Sequence, residues 1–200
     1  MKVIGITGGV GSGKSAVLDF LKQEYGSFVV QADLVAHEVM KPGNSCYEKI
    51  VDFFGEGILN EDKGINRKRL GEIVFREEEK REVLNSFVHP EVKNRIKEQI
   101  KDEAKKKECK LFVIEAALLL EDHYEEICDE IWYIYARKEV RVERLILSRG
   151  YSEEKIKQMM DSQLPEEIFK SRCNRIIDNS ETIEETKEQI KKIVEYSLAL

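Results

Sequence analysis

Gly8-Gly9-Val10-Gly11-Ser12-Gly13-Lys14-Ser15 satisfies every fixed position of the pattern GxxxxGK[ST]. The residues around it supply the required context. Val3-Ile4-Gly5-Ile6 reads as a short buried strand, and the stretch from Lys14 to Tyr25 reads as a helix. Strand, glycine-rich turn and helix together make a cradle for phosphate. Glycines let the backbone curl until successive N–H groups point at one anion. The helix adds its positive end. The Lys14 ammonium matches the charge of β- and γ-phosphates, and the Ser15 hydroxyl suits Mg²⁺ bridging them. Residues 8–15 are therefore expected to bind the phosphates of a nucleoside triphosphate.

Outward from this stretch, apolar runs at residues 2–7, 28–32, 111–115, 130–135 and 175–178 read as strands. Most lack polar alternation, as in strands covered on both faces. Helical stretches separate them, which predicts a parallel sheet and an α/β class. About eighty residues part the second strand from the third, too many for one crossover. Residues 33–110 thus form a helical insertion, with helical patterns at 47–54, 67–75, 78–87 and 91–107. A second helical insertion covers 137–172. The core keeps residues 1–32, 111–136 and 173–200, and 181–200 read as one amphipathic helix. Pro42, Pro90 and Pro165 are each expected at an element boundary.

Composition narrows the classes. The chain has 200 residues, a net charge of −6 and 42% hydrophobic residues, so a packed core is expected and an extended nucleic-acid surface is not. No apolar run approaches membrane-spanning length. The start carries no leader pattern, and the four cysteines form neither a CxxC pair nor a zinc cluster. A cytoplasmic protein with reduced thiols, monomeric or weakly homo-oligomeric, is expected. A guanine-reading NKxD is absent; one DxxG, at residues 52–55, lies in the helical insertion.

Side chains beyond the loop have two readings each. Asp33 follows the second strand at the sheet edge where ligands bind. It can take the proton of an attacking hydroxyl or cap the next helix. Glu115 ends the third strand on the same edge, where it can hold a Mg²⁺-bound water or serve structure alone. Arg137, Arg141, Arg144 and Arg149 lie in the second insertion. They can close on a triphosphate, or pair with Glu139 and Glu143.

The chain resembles the dephospho-CoA kinases, members of the nucleoside-monophosphate-kinase-like P-loop enzymes. The resemblance runs through Ile6-Thr7-Gly8-Gly9 into the loop, then Ala32-Asp33, Phe54-Gly55, Asn66-Arg67 with Leu70 and Phe75, His89-Pro90, and Ile177-Asp178-Asn179. It implies a three-layer P-loop NTPase fold with a five-stranded parallel sheet, an acceptor-binding insertion at 33–110 and a lid at 137–172. It implies ATP and dephospho-CoA as substrates with Mg²⁺, and transfer to the ribose 3′-hydroxyl, the last step of coenzyme A synthesis. Asp33 matches the family's base, and Arg67 and His89 match acceptor contacts. Lys14 and Arg144 would stabilise transfer, with Arg141 and Arg149 also on the nucleotide.

Three stretches depart from that pattern. Asp-x-Pro-Leu-Leu-Phe-Glu stands here as Glu115-Ala116-Ala117-Leu118-Leu119-Leu120-Glu121, so the acid is one methylene longer. In the lid, Arg141 replaces Gln and Ser148 replaces an Arg, with Arg149 one residue late, about 100° around a helix. A helix ending before Arg149 would let it reach back, and Gly150 offers that ending. Cys173-Asn174 replaces Ala-Asp, which points to altered adenine contacts. Two rival readings remain: another small-molecule or nucleotide kinase, and a nucleotide-binding switch without transfer chemistry.

Overall fold

The apolar runs become strands β1 (Lys2–Thr7), β2 (Phe28–Gln31), β3 (Leu111–Glu115), β4 (Glu130–Tyr135) and β5 (Arg175–Asp178). They are seen in a computed structural model that describes residues 1–199. The strands form one sheet in the order β2-β3-β1-β4-β5. β1 is central and runs parallel to β3 and β4, with Ile6 beside Glu115 and Thr7 beside Tyr133. β4 and β5 are also parallel. The chain crosses from β3 on one side of β1 to β4 on the other. In open parallel sheets ligands bind at such a reversal, at the carboxyl end of the strands, and here β1 runs into the glycine loop at that end.

The chain divides into two compact units. The first holds Met1–Val30 and the chain from Asp102 on. Its core packs Ile4, Ile6, Val113, Trp132, Ile134 and Ile177 against Val17, Leu18 and Leu21 of α1 (Lys14–Tyr25), with Ile190 and Val194 of α9 (Ile183–Ala199). Phe112, Ile114, Leu119 and Leu120 are buried as well. Burial on both faces is why the strands read as continuous apolar runs rather than alternating ones. The expected helix at 181–200 is α9, with Leu200 lying outside the described residues. No helix among the described residues is long and apolar enough to cross a membrane.

One charge is buried at the amino end of β4. Glu130 accepts hydrogen bonds from Trp132 Nε1 at 3.0 Å and Ser197 Oγ at 2.8 Å, and pairs with Lys2 Nζ at 3.0 Å. Burial alone would raise its pKa; the bonds from Trp132, Lys2 and Ser197 outweigh that and hold the carboxyl below its ordinary 4.5. A depressed folded pKa stabilises fully above the unfolded value and is lost as pH falls through the folded one. Urea unfolding of the wild type should therefore lose stability below about pH 4.5. Glu130→Gln should cost about 1–3 kcal/mol at pH 7 and flatten that acid limb. An unchanged acid limb in the variant would remove Glu130 as its source.

The second unit, Gln31–Lys101, is helical. It contains α2 (Ala32–Val39), α3 (Ser45–Phe54), α4 (Arg67–Arg76) and most of α5 (Glu78–Lys106). The DxxG at 52–55 is the end of α3, whose last turn is closed by Gly55 N–H donating to Val51 O at 2.8 Å. Pro90 corrects an expectation. It lies inside α5, so the two patterns at 78–87 and 91–107 are one helix of 29 residues. Proline inside a helix costs about 3 kcal/mol. Val88, Val92 and Ile96 form a buried stripe four residues apart on both sides of it. Burying three such side chains contributes about 1.5–3 kcal/mol each, enough to carry the helix through. Pro42 lies in the turn after α2, and Pro165 opens a short helix, as expected.

Residues 137–172 contain three helices, α6 (Lys138–Arg149), α7 (Glu153–Asp161) and α8 (Glu166–Arg172). Ser152 caps α7 by accepting from Lys155 N–H at 3.3 Å.

Candidate active site

The glycine loop turns between β1 and α1. Ser12 N–H donates to Gly9 O at 3.1 Å, closing a turn, and Gly11 and Gly13 take left-handed φ angles of 78° and 88°. Glycine is required at Gly13 on two counts, its φ and its neighbour: a Cβ there would run into Asn179 Nδ2. The first turn of α1 carries no acidic side chain to oppose an anion. Lys14 Nζ donates to Gly8 O at 2.7 Å and lies 3.9 Å from Glu115 Oε1. Glu115 sits beside Ile6 across the β1–β3 pair, one residue before the loop's strand ends.

Three of the six buried side-chain polar atoms without a hydrogen bond among the described residues belong to the loop and its neighbours: Thr7 Oγ1, Ser12 Oγ and Arg144 Nη1. Such atoms are costly unless something pairs with them. Arg144 Nη1 lies 3.5 Å from the position of a Cβ on Gly13. A guanidinium and a lysine converging on a curled glycine loop make a receptor for a polyanion. The Ser15 hydroxyl and the Glu115 carboxylate are hard oxygen donors of the kind Mg²⁺ takes beside nucleotide phosphates. The group fits the residues present.

The other arginines of α6 and its start are placed differently. Arg141 does not pair with Glu139 or Glu143. Its Nε donates to Val10 O at 2.8 Å and its Nη2 to Gln163 Oε1 at 2.8 Å. Burial lowers the Arg141 pKa, opposed by the nearby Tyr133, Glu166 and Tyr135. Arg149 is the last residue of α6, and Gly150 closes the helix after it, not before it. Arg149 therefore keeps its helical phase and is exposed. Ser148 donates to Arg144 O at 2.5 Å. Arg137 pairs with Glu181 at 2.7 Å.

Asn179 carries a role that motif reading missed. Its Nδ2 donates to Ser12 O at 2.8 Å, and its Oδ1 accepts from Thr186 Oγ1 at 2.8 Å, all buried. It pins the loop to the start of the segment leading into α9. Asn179→Ala should cost about 1–3 kcal/mol in urea unfolding and weaken ATP binding; unchanged values of both would contradict the role. The Cys173-Asn174 departure is also corrected. Asn174 N–H donates to Ile131 O at 2.8 Å, and Ile131 N–H donates to Asn174 Oδ1 at 2.6 Å. That is the amino end of β4 and β5, away from the loop, so the side chain fastens two strands.

In the helical unit, Asp33 is in the first turn of α2, but Gln31 is the cap residue and Asp33 caps nothing. Its side chain is exposed. Arg67 opens α4 and is exposed, while Asn66 caps that helix by accepting from Arg69 N–H at 3.0 Å. His89 is half-buried in mid-α5, one residue before Pro90.

A parallel sheet of this order, a GxxxxGK[ST] loop at its central strand and converging cations define a P-loop phosphotransferase of the small-molecule kinase class. The dephospho-CoA kinase family pattern matches residues 2–185. A dephospho-CoA kinase of Carboxydothermus hydrogenoformans is 40% identical over 98% of this chain and 94% of its own. A solved protein of Thermus thermophilus aligns with a TM-score of 0.80 at 28% identity, covering 98% of this chain and 97% of its own. The dephospho-CoA kinase of Campylobacter jejuni aligns at 0.73 and 29%, covering 98% and 96%. The chain belongs to the dephospho-CoA kinase family.

Proposed function

We propose that the chain transfers the γ-phosphoryl group of ATP to the ribose 3′-hydroxyl of dephospho-CoA, giving coenzyme A and ADP. The observation that carries this is an intact phosphate loop, with Lys14 and Arg144 converging on it, in a chain whose family match spans residues 2–185.

The loop amides and Lys14 hold the triphosphate. Ser15, and Glu115 through a water, would hold Mg²⁺, which supplies charge neutralisation between the β- and γ-phosphates when bound. The longer reach of Glu115 also places its carboxylate beside Lys14. Asp33 orients the 3′-hydroxyl and accepts its proton as the oxygen–phosphorus bond forms and the bond to the β-phosphate bridge breaks. Arg144 stabilises the charge spread over the transferring group. Arg67 and His89 contact the acceptor, Arg67 through an exposed guanidinium suited to its phosphates. Arg141 serves the nucleotide side through the loop backbone at Val10, and Arg149, exposed at the end of α6, takes no part in it. Residues 33–110 form the acceptor domain, and 137–172 form the lid that excludes water as a competing acceptor.

An acceptor panel with ATP and Mg²⁺ tests this. Dephospho-CoA should be phosphorylated at least about 100-fold more efficiently than AMP or a nucleoside, because the acceptor site must be filled to position the hydroxyl. Preference for AMP would make the chain a nucleotide kinase. Hydrolysis without any acceptor product would make it a switch.

A further inference from the structure

Val10 lies in the turn of the phosphate loop, and both of its backbone groups are held by side chains of the lid. Arg141 Nε donates to its carbonyl at 2.8 Å, and its N–H donates to Gln163 Oε1 at 3.2 Å. Arg141 Nη2 closes the ring by donating to the same Gln163 oxygen at 2.8 Å. Two donors on one atom require that atom to be the amide oxygen. Arg141 belongs to α6 and Gln163 follows α7, so two separate arms of the lid meet on one residue of the loop. α6 is seated closely. A Cβ on Gly11 would lie 2.8 Å from Arg141 O and 3.1 Å from Leu145 Cγ, and one on Gly9 would meet the Arg141 guanidinium. Gly9 and Gly11 thus serve the approach of the lid helix.

We propose that Arg141 and Gln163 are positioning residues that clasp the phosphate loop through Val10. They hold the loop in its anion-binding curl, while Lys14 and Arg144 supply the charge. The proposal rests on the reading that the loop binds ATP. A glycine-rich loop loses much conformational freedom when it closes on a ligand, about 1–2 kcal/mol per residue fixed. A clasp formed beforehand removes part of that cost from binding. Only a planar fork with several donors reaches the carbonyl and the amide oxygen at once; a lysine ammonium in place of Arg141 reaches one.

Ordering of the loop benefits bound ATP and the transition state alike, so its loss appears in KM and not in kcat. Gln163→Ala should weaken Mg·ATP binding about tenfold, the effect of losing bonds to a charged donor and a backbone amide. ATP KM should rise by the same factor, with kcat within about threefold. Arg141→Lys should weaken binding similarly. The double variant should be no weaker than about the worse single one, because both break the same ring. Gln163→Glu, which keeps an acceptor for both donors, should bind ATP within about threefold of wild type.

The test is calorimetric titration of Mg·ATP into the full chain without acceptor, with ATP KM and kcat measured alongside and circular dichroism checking the fold. Wild-type affinity in Gln163→Ala, independent effects in the double variant, or a loss confined to kcat would overturn the clasp. If Gln163→Ala fails to fold, Gln163→Glu and Arg141→Lys decide it, since the clasp requires retained affinity in the first and weakened affinity in the second. Failure of the wild type to phosphorylate dephospho-CoA would overturn the proposed acceptor and leave the clasp to stand on ATP affinity.

Discussion

Asp33→Asn should lower turnover with dephospho-CoA by about 10²–10⁴-fold, the range for removing a positioned general base, while ATP affinity stays within about twofold. The substitution is nearly isosteric and keeps a hydrogen-bond acceptor. It removes the charge and the capacity to take a proton. The side chain is exposed and caps nothing, because the cap position of α2 belongs to Gln31. Little stability should be lost, which makes a kinetic effect readable. Phosphoryl transfer draws more on positioning and charge than on proton removal, so the lower end of the range still supports the role. Measurement is by steady-state production of ADP with and without acceptor. Turnover within tenfold of wild type would end the base assignment.

Lys14→Ala should be comparably severe, by a different route. The ammonium is the cation nearest the loop's own carbonyl, 2.7 Å from Gly8 O, and it also lies beside Glu115. Removing a preorganised donor from a transferring phosphoryl group costs about 10²–10³ in kcat. Here ATP binding should weaken too, because Lys14 meets ground-state phosphate as well as the transition state. The Glu115 carboxylate would then face the loop with its cation gone and repel the triphosphate. Lys14→Arg should not restore activity, since a planar fork does not reproduce a compact ammonium. Equal kcat/KM for wild type and Lys14→Ala would contradict the donor site described above.

The two variants fail differently because their residues act through different links. Asp33 would act on the acceptor alone, so its loss should be read in kcat. Lys14 acts on the donor in both states, so its loss should be read in kcat and in ATP affinity.

What the sequence disclosed, and what it hid, follows the range of each interaction. The glycine loop was legible because its chemistry is local: eight consecutive residues carry the turn, the cation and the hydroxyl. The strands were legible because β1, β3 and β4 are covered on both faces, and burial leaves an unbroken apolar run. Pro90 misled because a local preference lost to a buried stripe of Val88, Val92 and Ile96 that spans it. Arg149 misled in a smaller way, since Gly150 ends α6 one residue later than a reach to the phosphates requires. Asn179 stood in a quoted motif, but its partner Ser12 is 167 positions away. Gln163 stood in no motif, and its partner Val10 is 153 positions away. No local pattern marks a side chain whose purpose is a hydrogen bond to a distant backbone group. The two polar side chains that brace the loop were invisible for that reason.

The most direct measurement is transfer from γ-labelled ATP, with Mg²⁺, to dephospho-CoA and to its 3′-deoxy analogue. Label is expected on the 3′-oxygen of the first, with coenzyme A as the product, and no acceptor product from the second. Label on the deoxy analogue, or label released only as inorganic phosphate in both reactions, would contradict it.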